Sequence, residues 1–214
     1  MPIVDADAHV IESDRTWEYM EGSERKFKPV TAARSGRDYW VIDGRRVPRA
    51  GNIGEDTPQA SREMKDIETR LRHMDQLGID IQVLYPSLFL IPLTARPEVE
   101  RALARSYNRW LADICKKGES RLRWAAVVPT LNMDDSIAAA KFAKDNGACA
   151  LYLRAGPHNT GRTNRRRLVS AAYAAIRALA PRFGDRLLVT DHTLLSDPYF
   201  YPLYEEAGRL NLPI

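Results

Sequence analysis

Three residues near the amino terminus combine reactive chemistry with regular spacing. In VDADAHVIE, Asp5, Asp7 and His9 stand at alternate positions, separated by Ala6 and Ala8 and followed by Val10. If the segment is extended, side chains at i, i+2 and i+4 share one face. Two carboxylates and an imidazole then point together out of an otherwise apolar stretch. Burying such groups without partners costs on the order of several kcal/mol, so something must compensate. A divalent cation would do so, and so would an Arg or Lys delivered from another strand. Carboxylate oxygen and imidazole nitrogen are donors that suit Zn, Mn or Fe.

The segment that carries these residues, 3–10, reads as the first of several strands. Further runs of this kind are IDIQVLYP (79–86), LRWAAVVP (122–129) and ACALYLR (148–154). Each follows a helical stretch with an identifiable end. Residues 61–77 are stopped by Gly78, and 97–117 are closed by Gly118. MDDSIAAAKFAKDNG has Asp134 as a cap and Gly147 as its stop. The strands are apolar without clean alternation, as expected when both faces are covered. Strands alternating with helices form βα units and a parallel sheet, so the predicted class is α/β. Such sheets place their chemistry at the carboxyl ends of the strands. Asp7 and His9 lie there on the first strand, Tyr85 and Pro86 end the second, and Arg154 ends the fourth. Arg154 is suited either to hold a substrate carboxylate bidentately or to pair with Asp5 or Asp7.

Two segments interrupt the rhythm. Residues 20–60 read as a flap inserted after the first strand, with Asp43-Gly44 between YWVI and RRV signalling a tight hairpin. Trp40 on this flap either covers the mouth of the sheet or packs beneath it. Residues 158–183 form an Arg-rich insertion in which Leu168, Ala172, Ile176, Leu179 and Phe183 recur at helical spacing. Its Arg162 and Arg165 to Arg167 read as a solvated turn rather than a phosphate contact. Leu212 to Ile214 read as the start of a fifth strand. His73 sits on a helix surface, while His158 and the pair Asp191-His192 are weaker candidates for a site.

The bulk numbers exclude several classes. The chain has 214 residues, 44% hydrophobic and 28% charged, the balance of a globular domain. A net charge of +4 is too small to argue for nucleic acid or an anionic membrane. Apolar runs are too short to span a bilayer, and the amino terminus lacks the regions of a secretory signal. Cys115 and Cys149 match no metal or redox spacing, which suits free thiols in a reducing cytoplasm. There is no Gly-rich phosphate loop and no Gly-x-Ser-x-Gly.

VDADAHVIE resembles the opening motif of the amidohydrolase superfamily, in the branch that includes aminocarboxymuconate-semialdehyde decarboxylase. The superfamily pattern is His-x-His, and Asp7-Ala8-His9 is an Asp-x-His variant of it. The similarity extends through RLRHMDQLGIDIQVLYPSLFL, RSYNRWLADICKKGESRLRWAAVVPTLN and SDPYFYPLYEEAGRLNLPI. It implies a (β/α)8 TIM-like barrel, of which this chain holds the first half to five strands. It also implies one catalytic divalent metal, with zinc expected and Mn or Fe as alternatives. Asp7 and His9 are the implied ligands, with Asp5 behind them. Glu12 is either a further ligand or a carboxylate that orients its neighbours. The implied reaction is hydrolysis or non-oxidative decarboxylation of a small carboxylate-bearing or cyclic substrate, for which Tyr85 and Arg154, by their place at the strand ends, are the candidate binding residues. A dinuclear Mn or Fe redox enzyme on the same fold is an alternative. So is a truncated binding or assembly subunit, because the remaining ligands are expected beyond Ile214. No lysine ends the fourth strand, which disfavours a lysine-bridged metal pair. Association into a homo- or hetero-oligomer is expected, because an open half barrel exposes strand edges.

Overall fold

A computed structural model describes residues 1–49, 57–154 and 195–214. Seven strands are described, numbered here along the chain. Four of them, β1 (Val4–Val10), β5 (Ile81–Pro86), β6 (Leu122–Val127) and β7 (Ala150–Tyr152), make the central parallel sheet. They lie in the order β1-β5-β6-β7. Each strand of this sheet therefore lies beside the next one in the chain. That sequential order is how a (β/α) barrel begins, whereas a doubly wound sheet reverses direction. Past β7, the Leu151 amide donates to the carbonyl oxygen of Pro213 at 2.8 Å, so the chain runs alongside there too.

The intervening helices are α1 (Gln59–Arg62), α2 (Ile67–Leu77), α3 (Pro97–Lys116) and α4 (Met133–Asp145), with α5 (Tyr201–Leu210) after them. They press Leu84, Leu103, Leu111, Trp124 and Leu203 into one core. The segment expected as a single helix from Ser61 is broken, because Met64 adopts a left-handed φ of 52° and Asp66 restarts the helix by capping Thr69. The break presents the Arg62 carbonyl to the Ile11 amide at 2.9 Å and so ties α1 to the end of β1. Gly78 does stop α2, with φ 68°, and Gly147 follows α4 with φ 76°. The cap of α4 is Asn132, not Asp134, since Asn132 accepts from the Asp135 amide.

Gly118 works differently from the expected left-handed stop. The positive φ angles fall on Glu119 and Ser120, and a Cβ at Gly118 would lie 2.7 Å from the Cβ of Leu122. Glycine is required there because β6 starts almost on top of the end of α3.

Within the segment expected as a flap lies a three-stranded antiparallel meander of β2 (Val30–Arg34), β3 (Arg37–Ile42) and β4 (Arg45–Pro48). Asp43 and Gly44 make the predicted turn with φ 49° and 74°, and Ser35-Gly36 makes a second one. Trp40 is fully buried, edge-on to Trp17 at 5.9 Å, so its role is packing. Asp43 accepts from the Thr94 hydroxyl at 2.6 Å and pairs with Arg96 at 2.8 Å, which anchors the turn to the segment after β5. The Arg-rich insertion, His158, Asp191 and His192 lie outside the described residues.

Candidate functional site

Asp7, His9 and Tyr85 meet at the carboxyl end of β1 and β5. His9 is registered against Tyr85, with ring centroids 6.2 Å apart. The Nδ1 of His9 lies 3.0 Å from the carbonyl oxygen of Pro86. A carbonyl can only accept, so Nδ1 carries the proton and, in the neutral ring, Nε2 holds a lone pair. That Nε2 is 3.5 Å from Oδ1 of Asp7. The side chain of Asp7 is 93% exposed and that of His9 only 13%, so the pair has one open and one fixed member.

Asp5 faces another way. The β1–β5 register shifts between Asp5 and Ala8, a bulge that departs from plain alternation. Oδ1 of Asp5 accepts from the Asp7 amide at 3.1 Å, and Oδ2 accepts from Nε2 of Gln82 at 3.0 Å. Gln82 in turn accepts from Nε of Arg70 at 2.7 Å. The counter-charge that the sequence demanded is thus a buried arginine, and it comes from α2 rather than from a strand. Arg70 is 4% exposed, and its two terminal nitrogens each lie 3.4 Å from the carbonyl oxygen of His9. Gln82, a lone polar residue inside an apolar strand, was the sequence signal for this network.

Glu12 is buried directly after β1. Its two oxygens accept from the backbone amides of Ser87 at 3.2 Å and Leu88 at 3.0 Å, where the chain turns after β5. Burial outweighs those hydrogen bonds and pushes its carboxyl up to about 8. Glu100, near the start of α3, makes the same arrangement one strand further on. It accepts from the amides of Thr130 at 2.9 Å and Leu131 at 2.8 Å, just past β6, and burial raises its pKa as well.

Arg154 lines a cavity of about 250 Å³ at the ends of β5, β6 and β7. Phe89, Leu93, Leu103 and Val127 supply its apolar wall, with Tyr152 and Arg154 at its polar side. Burial lowers the pKa of the half-buried guanidinium, opposed by the charges of Tyr152 and Glu100. Tyr152 bridges the two regions, because its ring lies 6.3 Å from that of Tyr85. His9, Tyr85 and Tyr152 therefore form a row from the Asp7–His9 pair to the cavity.

Among the described residues no group of three or more His, Cys, Asp or Glu side chains converges on one point. None of the helices described is long and apolar enough to cross a membrane. No family model and no curated protein matches the sequence.

Solved structures do match. Amidohydrolase map2389c from Mycobacterium avium subsp. paratuberculosis K-10 superimposes with a TM-score of 0.59 at 16% identity, over 83% of this chain and 56% of that one. The two share a fold. IDCase from Metarhizium anisopliae in apo form gives 0.57 at 15% identity, over 99% of this chain and 50% of the other. The 2,6-dihydroxybenzoate decarboxylase from Rhizobium gives 0.52 at 18%, over 100% and 48%. The chain spans about half the length of these structures. Enzymes on this amidohydrolase fold include a hydrolase and a decarboxylase by name.

Proposed function

We propose that this chain supplies one half of a metal-dependent active site that hydrolyses or non-oxidatively decarboxylates a small, cyclic, carboxylate-bearing substrate. The observation that carries the reading is the locked His9 ring, whose Nδ1 is spent on Pro86 while Nε2 faces Asp7. An imidazole held through one nitrogen presents the other as a ligand with a defined direction. An exposed carboxylate 3.5 Å away completes a nitrogen–oxygen donor pair suited to a divalent cation. Such a cation, zinc by preference, would supply Lewis acidity at the mouth of the sheet. Two donors are fewer than a closed site needs, so the reading requires further ligands besides Asp7 and His9.

The remaining residues bind and orient. Arg154 anchors the substrate carboxylate, and the apolar wall by Phe89 and Val127 accepts the ring. Tyr85, whose pKa is raised by burial and by the nearby Cys149 and Asp7, keeps its hydroxyl proton and serves as a donor. Glu12 stands behind this pair as the carboxylate that fixes the turn after β5. A substrate with a cyclic body and an acid group is the kind named for the dihydroxybenzoate decarboxylase neighbour.

Calorimetric titration of the chain with Zn²⁺ tests the pair. Saturable binding that Asp7→Ala removes supports it. Equal binding by the variant rejects it.

A further inference from the structure

We infer that Arg70 is a positioning residue, which sets the geometry of the Asp7–His9 pair through Gln82 and Asp5. The inference rests on the proposed metal-binding reading for its purpose, but its structural content can be tested without a metal.

In an unbulged strand, side chains two apart share a face but do not automatically converge on one point. Here Nε2 of His9 and Oδ1 of Asp7 are 3.5 Å apart, and the β1–β5 register shifts between Asp5 and Ala8, across Asp7 and just before His9. A bulge re-aims side chains in this way. Its amide at Asp7 is satisfied by Oδ1 of Asp5 at 3.1 Å, so Asp5 holds the bulge in place.

Asp5 is itself oriented. Its other oxygen accepts a hydrogen bond from Nε2 of Gln82 at 3.0 Å. A side-chain amide could be turned either way, but Nε of Arg70 donates to Oε1 of Gln82 at 2.7 Å and forces the NH₂ toward Asp5. The same guanidinium reaches the His9 carbonyl with both terminal nitrogens and the Ser61 carbonyl with one, each at 3.4 Å. One buried planar cation therefore touches both ends of the bulge, at the His9 backbone directly and at the Asp7 backbone by relay. Lysine offers no such fork and can reach only part of this set. The charge also answers why a buried arginine is kept, since Asp5 acts on it electrostatically and opposes the effect of burial.

The test compares wild type with Arg70→Lys, Arg70→Met and Asp5→Asn. In the last, the amide oxygen of the introduced side chain serves the Asp7 amide, and its NH₂ would then face the NH₂ of Gln82. Nitrogen-15 NMR of metal-free protein reads the His9 ring, and calorimetry reads Zn²⁺ affinity. Wild type should show the Nδ1–H tautomer as the dominant form. Arg70→Met and Asp5→Asn should shift it toward a mixture, with Arg70→Lys between them. Zn²⁺ affinity should fall about 10- to 100-fold in the first two, the range typical of groups that orient metal ligands. If Arg70→Met does not fold, Asp5→Asn decides. A variant that folds with an unchanged tautomer signal overturns the inference, whatever its metal affinity. A wild-type chain that binds no Zn²⁺ but shows the tautomer shift in its variants rejects the metal reading and leaves the positioning role standing.

Discussion

His9 and Pro86 are joined across the β1–β5 pair by a 3.0 Å contact between an imidazole Nδ1 and a backbone carbonyl oxygen. The carbonyl belongs to a proline, which contributes an acceptor and no amide of its own. Because the acceptor is backbone, it cannot be removed by changing a side chain. Only the histidine can be altered. His9→Ala should abolish Zn²⁺ binding while leaving the helical circular dichroism unchanged. The lost hydrogen bond should lower stability by only about 0.5–1.5 kcal/mol. Zn²⁺ retained at wild-type stoichiometry would remove His9 from the site.

Arg154→Ala should separate anionic from neutral substrates. A charge-assisted hydrogen bond is worth about 1.5–3 kcal/mol, hence a KM increase of about 10- to 100-fold for a cyclic carboxylate. The matching amide should change by less than about threefold. Steady-state kinetics, or binding of benzoate against benzamide, gives the comparison. Equal losses for both would place Arg154 outside the substrate site.

Stability should fall as pH rises through the neutral range. Burial raises the Glu12 carboxyl from its usual 4.5 to about 8, so between those values the folded chain holds a proton that the unfolded chain releases. Its contribution is complete below 4.5 and lost as pH approaches about 8, at up to about 1.4 kcal/mol per pH unit. Glu100, also raised, acts with the same sign. Glu63 and Asp113, whose pKa values are lowered, act below this window. Urea unfolding of metal-free protein at pH 5 to 8 should show the decline, and Glu12→Gln should flatten it. A wild-type midpoint that climbs across this range would contradict the assignment.

Gly118→Ala should destabilise by about 1–3 kcal/mol, because its new methyl would overlap Leu122 at the start of β6. Leu122→Ala on that background should recover part of the loss, despite removing a core side chain. Chemical denaturation of the two single variants and the double variant measures the coupling. Simple additivity would place the strain on the Cβ of Leu122, which alanine retains, rather than on its Cγ and Cδ1.

The parallel strands were legible because their apolar runs and the glycines at 78 and 147 follow from local chemistry. The Asp43-Gly44 hairpin was legible for the same reason: both of its central residues need positive φ. Asp7 and His9 could be paired on spacing. Their bulge could not be, since it shows only in the register of β1 against β5; helical periodicity puts Arg70 on the same face as Ile67, Leu71 and Met74 but does not name the partners it meets there. Gly118 shows a related limit. A glycine after a helix signals a left-handed stop, yet here the left-handed angles sit on its neighbours and the glycine answers a contact with Leu122. Glu100 carried no sequence signal, because a carboxylate in the first turn of a helix has an ordinary reason to be there. Contacts between elements decide these positions, and local pattern does not encode them.

Glu12 and Glu100 each clamp a turn to which they do not belong. The main chain at Ser87-Leu88 is held from the end of β1, and the main chain at Thr130-Leu131 is held from α3. In both cases the grip is on backbone amides and is indifferent to most of the side chains those turns carry. The rim of the mouth is therefore open to divergence or redesign. Leu90 or Leu131, neither of them buried, can be exchanged for other shapes while the frame beneath them keeps its path. A library randomised at these positions should retain folded members far more often than one that touches either glutamate.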